Sequence, residues 1–94
     1  MAFIYMLASK PRGTLYIGVT ADLIRRVWEH KEKVLAGFTK RYGVDHLVYY
    51  EEFQSISDAI AREKRIKRYK RDWKIALIEQ NNLYWEDLYP RLCG

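Results

Sequence analysis

Two runs of β-branched and aromatic residues near the N-terminus constrain the fold of this chain more than any other feature. The runs cover residues 3–7 and 14–18, and residues 10–13, Lys-Pro-Arg-Gly, lie between them. Such runs favour strands, and a segment with proline and glycine favours a tight turn. We therefore predict a β-hairpin at the start of the chain.

A helix and a third strand are predicted after the hairpin. Asp22 can cap a helix that runs to about residue 36, where Gly37 is placed to end it. A polar stretch, residues 38–45, then leads to residues 47–50, Leu-Val-Tyr-Tyr, which have the composition of a strand. The sheet should therefore contain three strands.

The second half of the chain has helical patterns. Ser55 or Ser57 can cap a helix over residues 58–69, and apolar spacing predicts another over residues 72–80. The last segment, residues 83–94, is too apolar to extend freely into solvent. We expect it to pack back on the core.

The length of the chain favours one domain, residues 1–94, because so few apolar side chains cannot form two cores. We expect an α/β (α+β) fold with a small, mainly antiparallel three-stranded sheet and about three helices. The apolar N-terminus is too short to span a bilayer. Cys93 is the only cysteine, which excludes an intrachain disulfide and favours a reducing, cytoplasmic location.

Basic residues are concentrated in one segment, residues 62–74, which we call the basic stripe. The chain has a net charge of +5, which attracts polyanions such as nucleic acid, acidic membranes or acidic proteins. Interleaved Tyr69 and Trp73 suit phosphate contact with base stacking. A basic helix on a membrane usually has a continuous apolar face opposite the charge, which Glu63 interrupts here, so we favour nucleic acid. A solvated helix face would look similar. The predicted nucleic-acid contacts in the stripe are Arg62, Lys64, Lys67, Arg68, Lys70, Arg71 and Lys74.

Glu63 interrupts the apolar side of the helix predicted over residues 58–69. Ile56, Ala59, Ile60 and Ile66 mark that side, and Glu63 projects into the middle of it. A carboxylate taken out of water needs a cation or a metal ion as partner. From the pattern alone, a salt bridge and a metal site both remain open.

Arg26 and His30 lie four residues apart on the first predicted helix and so share a face, beside Leu23. An ordinary pair at the rim of the apolar face is the alternative. A histidine metal site is weakly supported, because His46 is the only other histidine and no ligand spacing joins the two. Phosphate-binding glycine loops, zinc-peptidase motifs and hydrolase serine motifs are absent.

The order of these motifs resembles that of the GIY-YIG nucleases. Phe3-Ile4-Tyr5 and Tyr16-Ile17-Gly18 occupy the two hairpin strands, and a helix with Arg26 and His30 and a later helix with Glu63 follow. The pattern is most similar to the small stand-alone bacterial branch, which resembles the N-terminal nuclease domain of the bacterial excision-repair nuclease. Two positions depart from it: Phe3 replaces a glycine, and Val19 stands where some relatives have a lysine.

The resemblance implies a Mg²⁺-dependent DNA endonuclease, with Mn²⁺ as a substitute ion and DNA repair as a candidate role. Glu63 would hold the metal, and Arg26 would bind the scissile phosphate. Tyr16, with Tyr5 beside it, would position or deprotonate the attacking water, and His30 would orient a phenol or relay the proton. The expected products carry 5′-phosphate and 3′-hydroxyl ends.

Two other interpretations of the sequence are a catalytically silent nucleic-acid-binding module and a basic domain for membrane surfaces or proteins. The family also has an asparagine after the metal-binding glutamate, but Asn81 and Asn82 lie further along than expected and receive no role. A monomer and a homodimer are both compatible with the sequence.

Overall fold

The predicted N-terminal hairpin is present in the computed structural model, which describes residues 1–94. Strand β1 (Ala2–Ala8) pairs antiparallel with β2 (Leu15–Thr20) on one side and with β3 (His46–Phe53) on the other. The strand order is therefore β2-β1-β3, and β1 is the central strand. The predicted three-stranded antiparallel sheet is confirmed.

Five helices surround this sheet, two more than expected. The additional ones are short, with five residues each. The helices are α1 (Leu23–Lys31), α2 (Phe38–Tyr42), α3 (Ile56–Lys67), α4 (Arg71–Glu79) and α5 (Tyr89–Cys93).

Side chains of the preceding residues cap two of the helices. Asp22 accepts a hydrogen bond from the backbone N–H of Arg25 at the start of α1, as predicted. At the start of α3 the cap is Ser55, which accepts from the N–H of Asp58, and not Ser57.

The prediction that α1 extends to about residue 36 is wrong. The helix ends at Lys31, and Lys33 has a left-handed backbone with φ of 57°. Val34, an apolar residue within the predicted extension, is 60% exposed. Without a surface on which to pack, a helix gains little from extension.

The segment over residues 38–45, which we expected to be a connection, contains α2. This helix follows Gly37, whose φ of 109° is in the region that favours glycine, and ends at Gly43 in a left-handed conformation. Only Thr39 of its residues is buried. A helix with a single, polar buried residue leaves no apolar periodicity in the sequence.

The two faces of the sheet carry separate apolar clusters. Alternate residues of β1 point to opposite faces, so that Ile4 and Met6 belong to one cluster and Tyr5 and Leu7 to the other. The first cluster packs with α3 and α4, and the second packs with α1 and the C-terminal segment. The tyrosine-bearing face is the one that α1 covers.

The C-terminal segment packs back on the core, as predicted. Trp85 is only 4% exposed, and the N–H of Leu88 donates to the carbonyl of Leu47 at 2.7 Å. Asp87 bonds to Lys31 and accepts from the N–H of Leu47 at 3.2 Å. These bonds fasten the segment to α1 and β3.

Candidate active site

Tyr5 and Gly18 stand opposite each other on β1 and β2, and their close approach explains why one of them is a glycine. Tyr5 is completely buried. A Cβ atom at residue 18 would lie 2.5 Å from the Tyr5 hydroxyl oxygen and 2.6 Å from Cζ. Any side chain at this position would displace the Tyr5 ring, so Gly18 makes room for the phenol.

A hydrogen-bonded row connects Tyr5 to α1 and α2. The Tyr5 hydroxyl lies 3.0 Å from His30 Nε2, and His30 Nδ1 lies 2.8 Å from Thr39 Oγ1. A neutral imidazole has one donor and one acceptor nitrogen, so these two bonds use both. Burial of all three side chains keeps the row out of bulk water.

Burial also determines which protons this row holds. It lowers the pKa of His30 below its ordinary value of 6.5, and the charge of Arg26 lowers it further, although Glu29 opposes the shift. The pKa of Tyr5 is raised, first by burial and then by Tyr16, which together outweigh the lowering effect of Arg26. At neutral pH, His30 is therefore neutral and Tyr5 keeps its proton.

Tyr16 is the more accessible of the two tyrosines. It is half-buried, and its ring centroid lies 6.2 Å from that of Tyr5 and 5.4 Å from that of His30. Tyr16 lines a pocket of about 330 Å³ at the edge of the sheet. The other lining residues are Leu15, Ile17, Phe38, Lys67 and Lys74. The pocket thus joins the tyrosine cluster to two cations of the basic stripe.

Arg26 lies beside the tyrosine cluster, as its effects on the pKa values of Tyr5 and His30 indicate. Its side chain is 40% exposed, and its Nε donates to Glu29 at 3.2 Å. The guanidinium is thus held at one end by a carboxylate and remains accessible to solvent. A planar guanidinium in this position suits a phosphate oxyanion.

Glu63 has a cationic side chain as partner, which is one of the two possibilities that its position in the sequence left open. Lys67, one turn further along α3, has its Nζ 3.3 Å from Glu63 Oε2. The apolar side assigned to this helix is narrower than expected, because Ile56 is 47% exposed and Ile60 39% exposed. Since Lys67 also lines the Tyr16 pocket, it connects Glu63 with that pocket.

The side chain of Glu63 is 18% exposed, so a cation can reach it from solvent. There is no group of three or more His, Cys, Asp and Glu side chains that could hold a metal. Mg²⁺ retains several waters and binds through as few as one or two carboxylates. A single glutamate fits that ion, whereas tetrahedral zinc would need a larger set of protein ligands.

The residues of the basic stripe fall into two groups, those that bond to other parts of the protein and those that are exposed or line the pocket. Arg62 donates three hydrogen bonds to Glu51, at 3.0, 3.1 and 3.3 Å. Arg71 donates to the backbone carbonyls of Arg12 and Gly13. Lys64, Arg68 and Lys70 are exposed, and Lys67 and Lys74 line the Tyr16 pocket.

Sequence reasoning missed Thr39 and Phe38, which α2 supplies to the site. Thr39 bonds to His30, and the Phe38 ring is stacked on Tyr16 with centroids 6.3 Å apart. Gly37 before them was the only local signal of a helix start. Asn82, which received no role, is used internally: it donates to the carbonyls of Val48 and Glu86.

None of the helices has the length and apolar character needed to cross a bilayer.

Comparison with known proteins places these residues in a family context. A family profile described as the GIY-YIG catalytic domain matches residues 1–76. UPF0213 proteins from several Staphylococcus aureus strains are each 37% identical over 78 residues, which cover 83% of this chain and 94% of the relative. The solution NMR structure of a UPF0213 protein from Bacillus halodurans aligns with a TM-score of 0.57 and 28% identity, over 93% of both chains.

Proposed function

Since this chain belongs to the GIY-YIG family, we propose that it is a divalent-metal-dependent endonuclease that hydrolyses phosphodiester bonds in DNA. The proposal rests on one arrangement at the edge of the sheet, where the tyrosine cluster meets two cations of the basic stripe. Tyr16, beside the buried Tyr5–His30 pair, shares a pocket with Lys67 and Lys74. A phosphodiester brought to this pocket by the two cations would lie against the tyrosine hydroxyl.

Glu63 is the residue that would hold the divalent cation, Mg²⁺ or Mn²⁺. When bound, the cation would neutralise charge on the phosphate and on the leaving 3′-oxygen. The ammonium group of Lys67 already pairs with the Glu63 carboxylate, but Lys67 is 55% exposed and lies four residues further along the helix. Such pairs are worth only about 0.3–0.5 kcal/mol, so a dication can displace the ammonium group.

The neighbouring side chains would bind the phosphate and orient the water. Arg26 would hold the scissile phosphate through its guanidinium nitrogens, with Glu29 fixing its orientation. Tyr16, the accessible phenol, would align the attacking water. Tyr5 keeps its own proton, so it can only relay a proton that the attacking water releases. His30 is neutral and would accept that proton through the tyrosine hydroxyls.

The exposed part of the basic stripe would contact the phosphates that flank the cleaved bond. Lys64, Arg68 and Lys70 carry that role, while Arg62 and Arg71 serve the fold through their internal partners. A positive surface of this kind binds DNA largely independently of base sequence. We extend the proposal to a DNA repair or processing role in the cytoplasm.

The proposal is tested with purified protein and labelled single-stranded, duplex and branched DNA, with Mg²⁺, with Mn²⁺ and with a chelator. We expect cleavage only with a divalent ion, and products with 5′-phosphate ends that a ligase can rejoin on a nicked duplex. Binding without cleavage under every ionic condition would instead favour a catalytically silent module.

A further inference from the structure

The outer face of α2 carries two exposed aromatic rings beside the candidate active site. Phe38 is 45% exposed and Tyr42 is 52% exposed, and their ring centroids are 4.9 Å apart. Phe38 also stacks on Tyr16, with the ring planes inclined by 27°. These three residues form an aromatic row that leads from the Tyr16 pocket out to solvent.

Cations lie along the aromatic row. The guanidinium carbon of Arg41 is 5.5 Å from the centroid of the Tyr42 ring, and Lys40 is exposed on the same helix. Helix α2, with the sequence Phe-Thr-Lys-Arg-Tyr, has no acidic residue. An open groove of about 710 Å³ follows this surface and is lined by Ala36, Gly37, Phe38, Lys40, Arg41 and Tyr42.

The charge of this surface favours a nucleobase over an apolar protein surface as its occupant. Lysine is depleted at protein–protein interfaces, so Lys40 argues against a protein partner, whereas the two rings and Arg41 would suit either kind of partner. Aromatic rings interleaved with cations are instead typical of sites that bind nucleic-acid strands, where a base stacks on the ring and the cations contact the backbone. A base inside a duplex has both faces covered by its neighbours and must be unpaired or flipped out to stack on a side chain.

We propose that the aromatic row of Tyr16, Phe38 and Tyr42 stacks an unpaired nucleobase next to the scissile phosphate, while Lys40 and Arg41 contact the backbone of the same strand. The inference rests on the proposed function and narrows its substrate to single-stranded or locally unpaired DNA. Duplex DNA would engage the basic stripe but not α2.

Fluorescence anisotropy of a fluorescein-labelled oligonucleotide tests this directly, without divalent metal so that no cleavage occurs. The same strand is measured alone and annealed to its complement. Tyr42→Leu keeps an apolar side chain but removes the ring, and should weaken single-strand binding about tenfold. Duplex binding should change by about twofold or less, because it depends on backbone electrostatics.

Two further variants guard against indirect effects. Phe38→Leu should behave like Tyr42→Leu, although it also removes a ring that contacts Tyr16. Tyr84→Leu is the matched control, because Tyr84 is 78% exposed and lies outside the aromatic row. It should leave both affinities unchanged, and all three variants should keep the melting temperature of the unaltered chain.

The outcomes separate this inference from the proposed function. If Tyr42→Leu weakens single-strand and duplex binding equally, or weakens neither, base stacking on α2 is overturned. The nuclease proposal would still stand. A dimer in sedimentation that dissociates in Tyr42→Leu would assign the surface to a second copy of the chain and would also overturn it. Failure of the unaltered chain to bind or cut any DNA would overturn the proposed function itself.

Discussion

At the residue scale, the site depends on how a buried tyrosine and histidine are held. Gly18 leaves space for the Tyr5 ring, and His30 is bonded to Tyr5 on one side and to Thr39 on the other. Fixing an imidazole at both nitrogens sets its tautomer and its orientation. Thr39 is therefore a positioning residue that acts on Tyr5 through His30.

Replacing Thr39 with valine should separate this positioning role from a packing role. Valine has the same shape but leaves His30 Nδ1 without a partner, so we expect cleavage to fall about tenfold. Thr39→Ser retains the hydroxyl and should keep most of the activity. The variants should bind DNA equally well in anisotropy measurements, and equal cleavage rates for valine and serine would show that the hydroxyl does no positioning.

The lowered pKa of His30 makes stability depend on pH. The unfolded chain takes up a proton near the ordinary value of 6.5, whereas the folded chain does so only at lower pH. The free energy of unfolding should therefore decrease as pH falls below about 6.5. The decrease should be complete once the pH is below the pKa of His30 in the folded chain. Thermal melts at several pH values should show this slope in the unaltered chain.

The other histidine provides the control for the pH experiment. His46 lies at the surface, 3.6 Å from Asp45 and outside the Tyr5–His30–Thr39 row, so His46→Gln should keep the decrease in stability that His30 causes. His30→Gln should reduce it. A slope that persists in His30→Gln would assign the pH dependence to other groups.

At the scale of secondary-structure elements, the features that the sequence could predict were those that the chemistry of neighbouring residues determines. The hairpin was predictable because β-branched runs and a Pro-Gly turn define it locally. The resemblance to the GIY-YIG nucleases also identified Tyr5, Tyr16, Arg26, His30 and Glu63 as candidates. The end of α1 was not predictable, because apolar residues continue in sequence although no surface lies opposite Val34.

Helix α2 shows why part of the candidate site was missed. Its one buried residue is Thr39, and its aromatic residues Phe38 and Tyr42 face solvent, which is the reverse of an amphipathic pattern. The partner of a threonine or of an exposed ring is set by tertiary structure alone. The sequence likewise carried no sign that Arg62 pairs with Glu51, since the two residues belong to different elements, α3 and β3.

Two arginines of the basic stripe should respond differently to removal. Arg62→Ala loses its bonds to Glu51 and should lower the free energy of unfolding by about 1–2 kcal/mol. Arg68→Ala removes an exposed cation and should leave the melting temperature unchanged but weaken DNA binding. Thermal melts and anisotropy on both variants test this, and a stable Arg62→Ala variant with the greater loss of DNA affinity would contradict it.

At the scale of the whole molecule, the positive charge of +5 should govern association with DNA. Each phosphate contact releases counterions and adds roughly −0.7 to −0.9 to the slope of log affinity against log salt concentration. For the unaltered chain we expect a slope that corresponds to several phosphate contacts. Charge reversal at Lys67 and Arg68 should make it shallower for every DNA sequence alike, and a flat response in the unaltered chain would contradict DNA binding through the stripe.

The stability of the molecule should be almost indifferent to Glu63. Glu63 is 18% exposed, but its partner Lys67 is 55% exposed and stays hydrated when the pair is lost, so Glu63→Gln should cost about 1 kcal/mol or less. A loss of activity in this variant would therefore report chemistry and not unfolding. Glu52→Gln, a change at an exposed carboxylate on β3, is the matched control.

The cleavage rate of Glu63→Gln at two Mg²⁺ concentrations, measured beside its melting temperature and DNA affinity, tests metal-dependent hydrolysis most directly. Loss of the carboxylate that we propose to hold the metal should reduce cleavage about a hundredfold or more. DNA affinity should be retained or improved, because a negative charge near phosphate is removed. A Glu63→Gln variant that cuts DNA at the unaltered rate would contradict a metal site at Glu63.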